Sequence, residues 1–309
     1  MSERGFTTTE WIDRNGGGLR DRIQPKTVPL LILTNPESPK VENRLSGVLV
    51  GLGPRHFVLT AGHCVEKCID KRNRVVIPVV DWPAEDAYRL SPVLKPDFLN
   101  SNLINVDPGT VDYGYLEFHP QSASTLGAKR YEFNTRISPW KAPEFHGADS
   151  WVAVAGYPID IAQTTEGSDQ SRFMITPTLV AREEELAGVG ELPEGFDVLD
   201  LLLPQDALES PDGLAFVPAE PTSHHGVSGG GCWTLDVSKD VASWTDQDRP
   251  SLCAIHAGHT EEADGNQILR EVPISYHLRM IADDYPDLAS DLYERWPQLA
   301  AVAPADSFR

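Results

Sequence analysis

Apolar and β-branched runs along the chain are short and are separated by Gly, Pro, Asn and Asp, which is the pattern of an antiparallel β protein. The runs predict strands at Val28–Leu33, Ser46–Gly51, His56–Thr60, Arg74–Pro78, Gly114–Glu117, Ser150–Gly156, Phe173–Arg182, Gly213–Val217, Cys232–Asp236 and Leu252–Ala257. The period changes only at the end, where Tyr276–Tyr285 and Leu288–Val302 predict helices, the second broken by Pro297. Two stretches read as inserted loops. Glu183–Leu203 opens on an acidic run and holds a Gly/Pro-rich turn, and Leu235–Pro250 is polar around Trp244. The expected organisation is an N-terminal extension (1–27), a first strand-rich unit (28–133), a linker (134–149), a second strand-rich unit (150–275) and a helical segment (276–309).

Composition narrows the class. The chain has 309 residues with 40% hydrophobic content, enough for a substantial core. Asp plus Glu number 46 against 26 Lys plus Arg, a formal charge of −20, so a polyanion would be repelled and nucleic-acid binding is not expected. No apolar run approaches the ~20 residues of a membrane span, and no apolar stretch follows the first charges, so a cytoplasmic protein without a membrane partner is expected. Four cysteines do not make a disulfide framework in a chain of this size. Cys64 and Cys68 fit one helical turn and Cys232 and Cys253 fit facing strands, but the expectation is reduced thiols. A zinc site from Cys64, Cys68 and His63 lacks a second ligand pair, so no metal or other cofactor is expected.

Three local motifs carry chemistry. Phe57-Val-Leu-Thr-Ala-Gly-His63-Cys64 is an apolar strand running into a small-residue turn that presents a histidine. Val111-Asp112-Tyr-Gly-Tyr-Leu116 places an acid at the mouth of another strand, and Gly226-Val-Ser228-Gly-Gly-Gly231 is a glycine-dense turn around one serine. A serine hydroxyl is a weak nucleophile until a nearby base takes its proton, and histidine titrates in the working range. The histidine needs a carboxylate to fix its tautomer and to stabilise the imidazolium that forms. Backbone donors close to the serine, here Gly226 and Ser228, would hold the developing oxyanion. Gly226-Val-Ser-Gly-Gly230 also fits the serine elbow of helix-and-parallel-sheet esterases, although those place acid and histidine after the serine.

The segment Leu59-Thr-Ala-Gly-His-Cys64 resembles the active-site histidine motif of the chymotrypsin/trypsin-like serine peptidases. Asp112-Tyr-Gly-Tyr-Leu is similar to their aspartate segment and Gly226-Val-Ser-Gly-Gly to their serine loop, in the same order and with the first two 49 residues apart. The resemblance implies an all-β fold of two six-stranded antiparallel barrels with a C-terminal helix. It implies His63, Asp112 and Ser228 as catalytic triad, no cofactor, and a polypeptide substrate. Val227 stands where secreted relatives carry the aspartate that pairs with a processed N-terminus, and Ser46-Gly47 stands where the usual cysteine partner of Cys64 would be.

The resemblance also locates a substrate pocket at Thr222, Ser223, His256 and Gly258. Thr222 at the floor is not acidic, which disfavours cleavage after Arg or Lys. Ser223 with His256 is similar to bacterial-type glutamyl endopeptidases and to picornaviral main proteases, and implies cleavage after Glu, Asp or Gln. His224, His225 and His259 read as rim residues. The expected function is a serine endopeptidase held in check by a regulatory protein partner, in a bacterial stress or defence system. A catalytically silent adaptor of the same fold is the alternative from another class, and an elbow-type esterase the third.

Overall fold

The computed structural model describes residues 8–33, 41–78, 93–106, 111–129, 131–139, 151–157, 164–165, 168–169, 173–180, 192–203, 227–235, 241–243, 245, 249–261 and 267–309. The fold is mostly β, with two antiparallel sheets and several helices.

Helix α1 (Thr8–Ile23) contains three consecutive glycines, each costing about 1 kcal/mol against alanine in a helix interior. Tertiary contacts hold it nonetheless. Leu19 and Ile23 are buried in the main core, and the Asn15 side chain accepts from the Val241 N–H at 2.7 Å.

The first sheet follows. Strands β1 (Thr27–Leu33), β2 (Val41–Leu52) and β3 (Arg55–Thr60) lead into helix α2 (Gly62–Ile69). Then come β4 (Arg74–Pro78), β5 (Val93–Leu94), β6 (Phe98–Val106), β7 (Val111–Phe118) and helix α3 (Pro120–Gly127). Their order is β5-β4-β1-β2-β3-β7-β6, antiparallel throughout. Every residue of β1 and β7 is buried, which explains why Thr27–Leu33 reads as a continuous apolar run rather than an alternating one.

The second half holds β8 (Trp151–Gly156), the two-residue ribbon strands β9 (Thr164–Thr165) and β10 (Ser168–Asp169), β11 (Met174–Val180), β12 (Leu199–Leu203), β13 (Gly231–Leu235), β14 (Ser251–Glu261) and β15 (Gln267–Pro273). Six of them pair antiparallel in the order β11-β12-β15-β14-β13-β8, and β8 pairs back with β11. Helices α4 (Ile274–Asp284) and α5 (Pro286–Arg295) end the fold, and Pro297 opens a 3-10 turn instead of continuing α5.

Several expectations change. Two six-stranded barrels are not established among the described residues: the second half is a ring of six strands, and the first half is a seven-stranded sheet with β5 and β6 at its two ends. Leu199–Leu203, read as the end of an inserted loop, is a central strand of the second sheet, with Leu199 and Leu201 in its interior. The acidic run before it and Gly213–Val217 lie outside the described residues. Helices α1 and α3 and strands β5, β6, β9, β10 and β15 were not anticipated, and of α2 only the turn that joins Cys64 to Cys68 was.

The main core joins the halves. Val48, Phe57 and Leu59 of the first sheet pack with Trp233, Leu252 and Ile255 of the second, and with residues of α1, α4 and α5. The backbone also crosses there. Asn134 N–H donates to Leu49 O (2.8 Å) and Ser138 N–H to Leu252 O (2.8 Å). Helix α5 is tied to the first sheet through buried Glu117, which accepts from Arg55 Nη1 and from the Tyr285 hydroxyl, each at 2.8 Å.

Candidate active site

The site forms where β3 ends, β7 begins and the Ser228 turn meets both sheets. β3 is buried from Phe57 to Thr60, and Ala61 continues extended before α2 starts at Gly62. Only glycine fits there. A Cβ on Gly62 would lie 2.1 Å from the Ile104 carbonyl oxygen and 3.0 Å from Asp112 Oδ1. That close approach lets His63 meet Asp112 twice: its backbone N–H donates to Oδ1 at 2.8 Å, and Nδ1 lies 2.5 Å from Oδ2. Asp112 is 5% exposed at the start of β7, next to β3, whereas the His63 side chain keeps 29% of its surface.

Burial works against a charge on His63, but the hydrogen bonds to Asp112 and Cys64 and their charges outweigh it, pushing the imidazole up to about 10. The folded pKa is raised, so this contribution to stability is complete below the unfolded value near 6.5 and is lost as pH climbs through about 10. Nε2 lies 3.4 Å from Cys64 Sγ, and that sulfur also reaches the Ser228 carbonyl oxygen at 3.5 Å. Among the described residues no hydrogen bond joins the Ser228 hydroxyl to His63. Catalytic bonds of this kind often tighten only when substrate arrives.

The Ser228 turn is fixed by backbone bonds to both halves. Ser46 N–H donates to Ser228 O at 3.0 Å, Gly229 N–H to His256 O at 2.7 Å, and His256 N–H to Gly230 O at 2.8 Å. Gly229 has φ +85°, and a Cβ there would fall 2.0 Å from Thr60 Oγ1 and 2.1 Å from Ser46 O. Gly229→Ala thus combines a left-handed backbone with a clash against the neighbouring strands. It is expected to cost about 2 kcal/mol or more, lowering Tm in a calorimetric scan by about 4–8 °C. Val227 is fully buried among Val154, Leu201 and Cys232 inside the second sheet, an apolar anchor with no charge to pair.

His63 thus contacts Asp112 directly, and Cys64 Sγ lies between the His63 ring and the Ser228 backbone. Thr222, Ser223, His224, His225 and Gly226 lie outside the described residues. Gly258 follows a bulge in β14 with open space at its Cα, and His259 beyond it is partly exposed. His256 is fully buried, and its Nδ1 lies 2.7 Å from Oε1 of Glu271, itself fully buried.

Glu271 escaped sequence reasoning. The available signal was a charged residue at the inward parity of a strand, two places from buried Leu269. His277 was missed too. On α4 it is fully buried behind Tyr113 (ring centroids 5.4 Å apart), and burial holds it down to about 4, so the neutral ring donates from Nε2 to Thr60 O at 3.2 Å. It braces the end of β3 from behind.

All four cysteines are free, with Cys64 and Cys68 buried on α2 as a helical pair and the sulfurs of Cys232 and Cys253 3.7 Å apart. No group of three or more metal-ligating side chains occurs among the described residues. No described helix is long and apolar enough to cross a membrane. The elbow-type esterase needs a parallel sheet around its serine, and the ladders around Ser228 are antiparallel because short strands follow one another through turns rather than helices.

No family model matches the chain, and no curated protein is similar to it. Among solved structures, the crystal structure of a thermostable serine protease, AL20, from an extremophilic microorganism is similar with a TM-score of 0.43 and 11% identity, over 88% of this chain and 96% of that one.

Proposed function

We propose that the chain is a serine endopeptidase of the chymotrypsin type, with Ser228 as nucleophile, His63 as base and Asp112 as its orienting carboxylate. The observation that carries the reading is the double hydrogen bond from His63 to buried Asp112 beside a serine turn held by both sheets.

The chemistry follows from those atoms. Asp112 Oδ2 accepts Nδ1–H, so the lone pair of the neutral ring is on Nε2. Once Nε2 leaves Cys64 Sγ for the Ser228 hydroxyl, it takes the Oγ proton as Oγ bonds to the scissile carbonyl carbon. The carbonyl electrons move onto oxygen, and the N–H groups of Ser228 and Gly226 stabilise that anion. The imidazolium returns its proton to the leaving amine as the C–N bond breaks, leaving an acyl-Ser228. Water then attacks by the same path in reverse, with His63 again as base.

The pocket assigned to Thr222, Ser223, His256 and Gly258 favours Glu, Asp or Gln before the cut, because buried donors reward a side chain with an acceptor oxygen. Control by a protein partner and a cytoplasmic setting, as in a bacterial stress or defence system, belong to the same proposal.

A fluorophosphonate probe tests the reading. Covalent labelling located on Ser228 by peptide mass spectrometry, and absent in Ser228→Ala, is the expected result. No labelling at any pH would instead favour the silent adaptor, in which the crevice only holds peptides.

A further inference from the structure

Thr60 ends β3 three residues before His63, and its atoms serve both sides of the site. Its hydroxyl donates to Ser46 O at 2.8 Å, and Ser46 N–H donates in turn to Ser228 O at 3.0 Å. Gly229 packs so closely on that hydroxyl that a Cβ would fall 2.0 Å from it. The Thr60 carbonyl oxygen accepts from His277 Nε2–H at 3.2 Å. His277 also stands behind the acid, because its ring meets that of Tyr113, the neighbour of Asp112, with centroids 5.4 Å apart. One ring on α4 is therefore linked to Asp112 through Tyr113, to Ser228 through Thr60 and Ser46, and to His63 through the short turn Ala61-Gly62. Helix α4 itself packs on β7 of the first sheet and on β14 and β15 of the second, so this ring is anchored in both halves.

An imidazole is an unfavourable filler for that place. His277 is fully buried, and Ile274 and Ile281, one helical turn to either side of it, are fully buried aliphatics of the main core. A phenyl or leucyl side chain would occupy the same volume with no polar group to desolvate. Burial, opposed by the carbonyls of Thr60 and Pro273 and by the charge of Asp112, holds the ring down to about 4, so it is neutral in the working range. A neutral ring has one N–H. It is aimed at Thr60, and this directed donor is what the histidine adds over an apolar residue.

We infer that His277 is a positioning residue for acyl transfer: its bond to Thr60 holds the end of β3 against the Ser228 turn, at the separation from which His63 Nε2 reaches the Ser228 hydroxyl. This rests on the peptidase reading above and adds to it a residue that touches neither substrate nor reacting atoms. The role is one of distance. A misplacement of about 1 Å between base and nucleophile can cost about 100-fold in rate while leaving the binding of substrate almost untouched.

The test compares the full chain with His277→Phe and His277→Gln in four measurements: kcat and KM for a peptide ester, the rate of fluorophosphonate labelling, and Tm. The phenyl ring fills the space without a donor, whereas the amide N–H of His277→Gln can take the place of Nε2–H on Thr60 O. His277→Phe is expected to lower kcat by about tenfold or more and to slow labelling by a similar factor, with KM within about twofold and Tm lower by a few degrees at most. His277→Gln is expected to bring kcat back to within about threefold of the full chain. His277→Phe cutting as fast as the full chain, or both variants losing rate in step with Tm, would overturn the inference and leave the peptidase reading standing. A full chain that neither cuts the ester nor takes up the probe removes the peptidase reading and this inference with it. If His277→Phe does not fold, His277→Leu serves as the variant without a donor, and a folded His277→Gln as slow as that variant overturns the inference.

Discussion

His63→Ala is expected to lower kcat for peptide hydrolysis by about 10⁶-fold, because Oγ of Ser228 then has no group to take its proton and the leaving amine has none to give one. The loss should be close to that of Ser228→Ala, and the double variant should be no worse than either. Residues that act as one unit are not additive. What remains, about 10³–10⁴ over the uncatalysed rate, belongs to the backbone donors and to binding. Initial rates with a peptide ester measure it, and a His63→Ala variant retaining a tenth of the activity would show that another group is the base.

Asp112→Asn carries the second largest expected effect, about 10⁴-fold in kcat, since an amide can hold the ring with the wrong nitrogen protonated. It also has a signature in pH. With Asp112 present the imidazole is raised to about 10, and the base must be neutral, so kcat/KM should climb about tenfold per pH unit through neutrality and level off near that value. Without the carboxylate, burial is the largest influence left, and it disfavours the charged ring. The limb should therefore move to acid pH by several units, and the stability that the intact chain loses as pH rises through about 10 should become flat there. A pH profile with an unchanged limb would mean that Asp112 does not set the state of His63.

Much of this site was readable because its parts are local. An apolar strand into Ala-Gly-His, an acid opening Val111–Leu116, and a serine among glycines each declare themselves within eight residues. The strands were readable for the same reason, where Val, Leu and Ile runs stand between turn residues. What escaped is what tertiary contact decides. Gly16–Gly18 argue against a helix, yet α1 forms because Leu19, Ile23 and the Val241 contact reward it. Leu199–Leu203 was hidden by its acidic, proline-containing approach. Glu271 and His277 carry no motif, and only the pairing of β14 with β15 and the docking of α4 on Thr60 show what they touch.

The distribution of the site along the chain matters during synthesis. A ribosome releases His63 and Asp112 well before Ser228, and His277, which braces the end of β3, later still. At about 5–20 residues per second, roughly 10–30 seconds separate Asp112 from His277. On the proposed reading, a nascent chain that ends before Ser228 holds the base without its nucleophile, and is expected to be inert towards the proteins around it. On the same reading, the brace that His277 places on Thr60 is the last part of the site to be synthesised, so the complete site is expected only once α4 has docked.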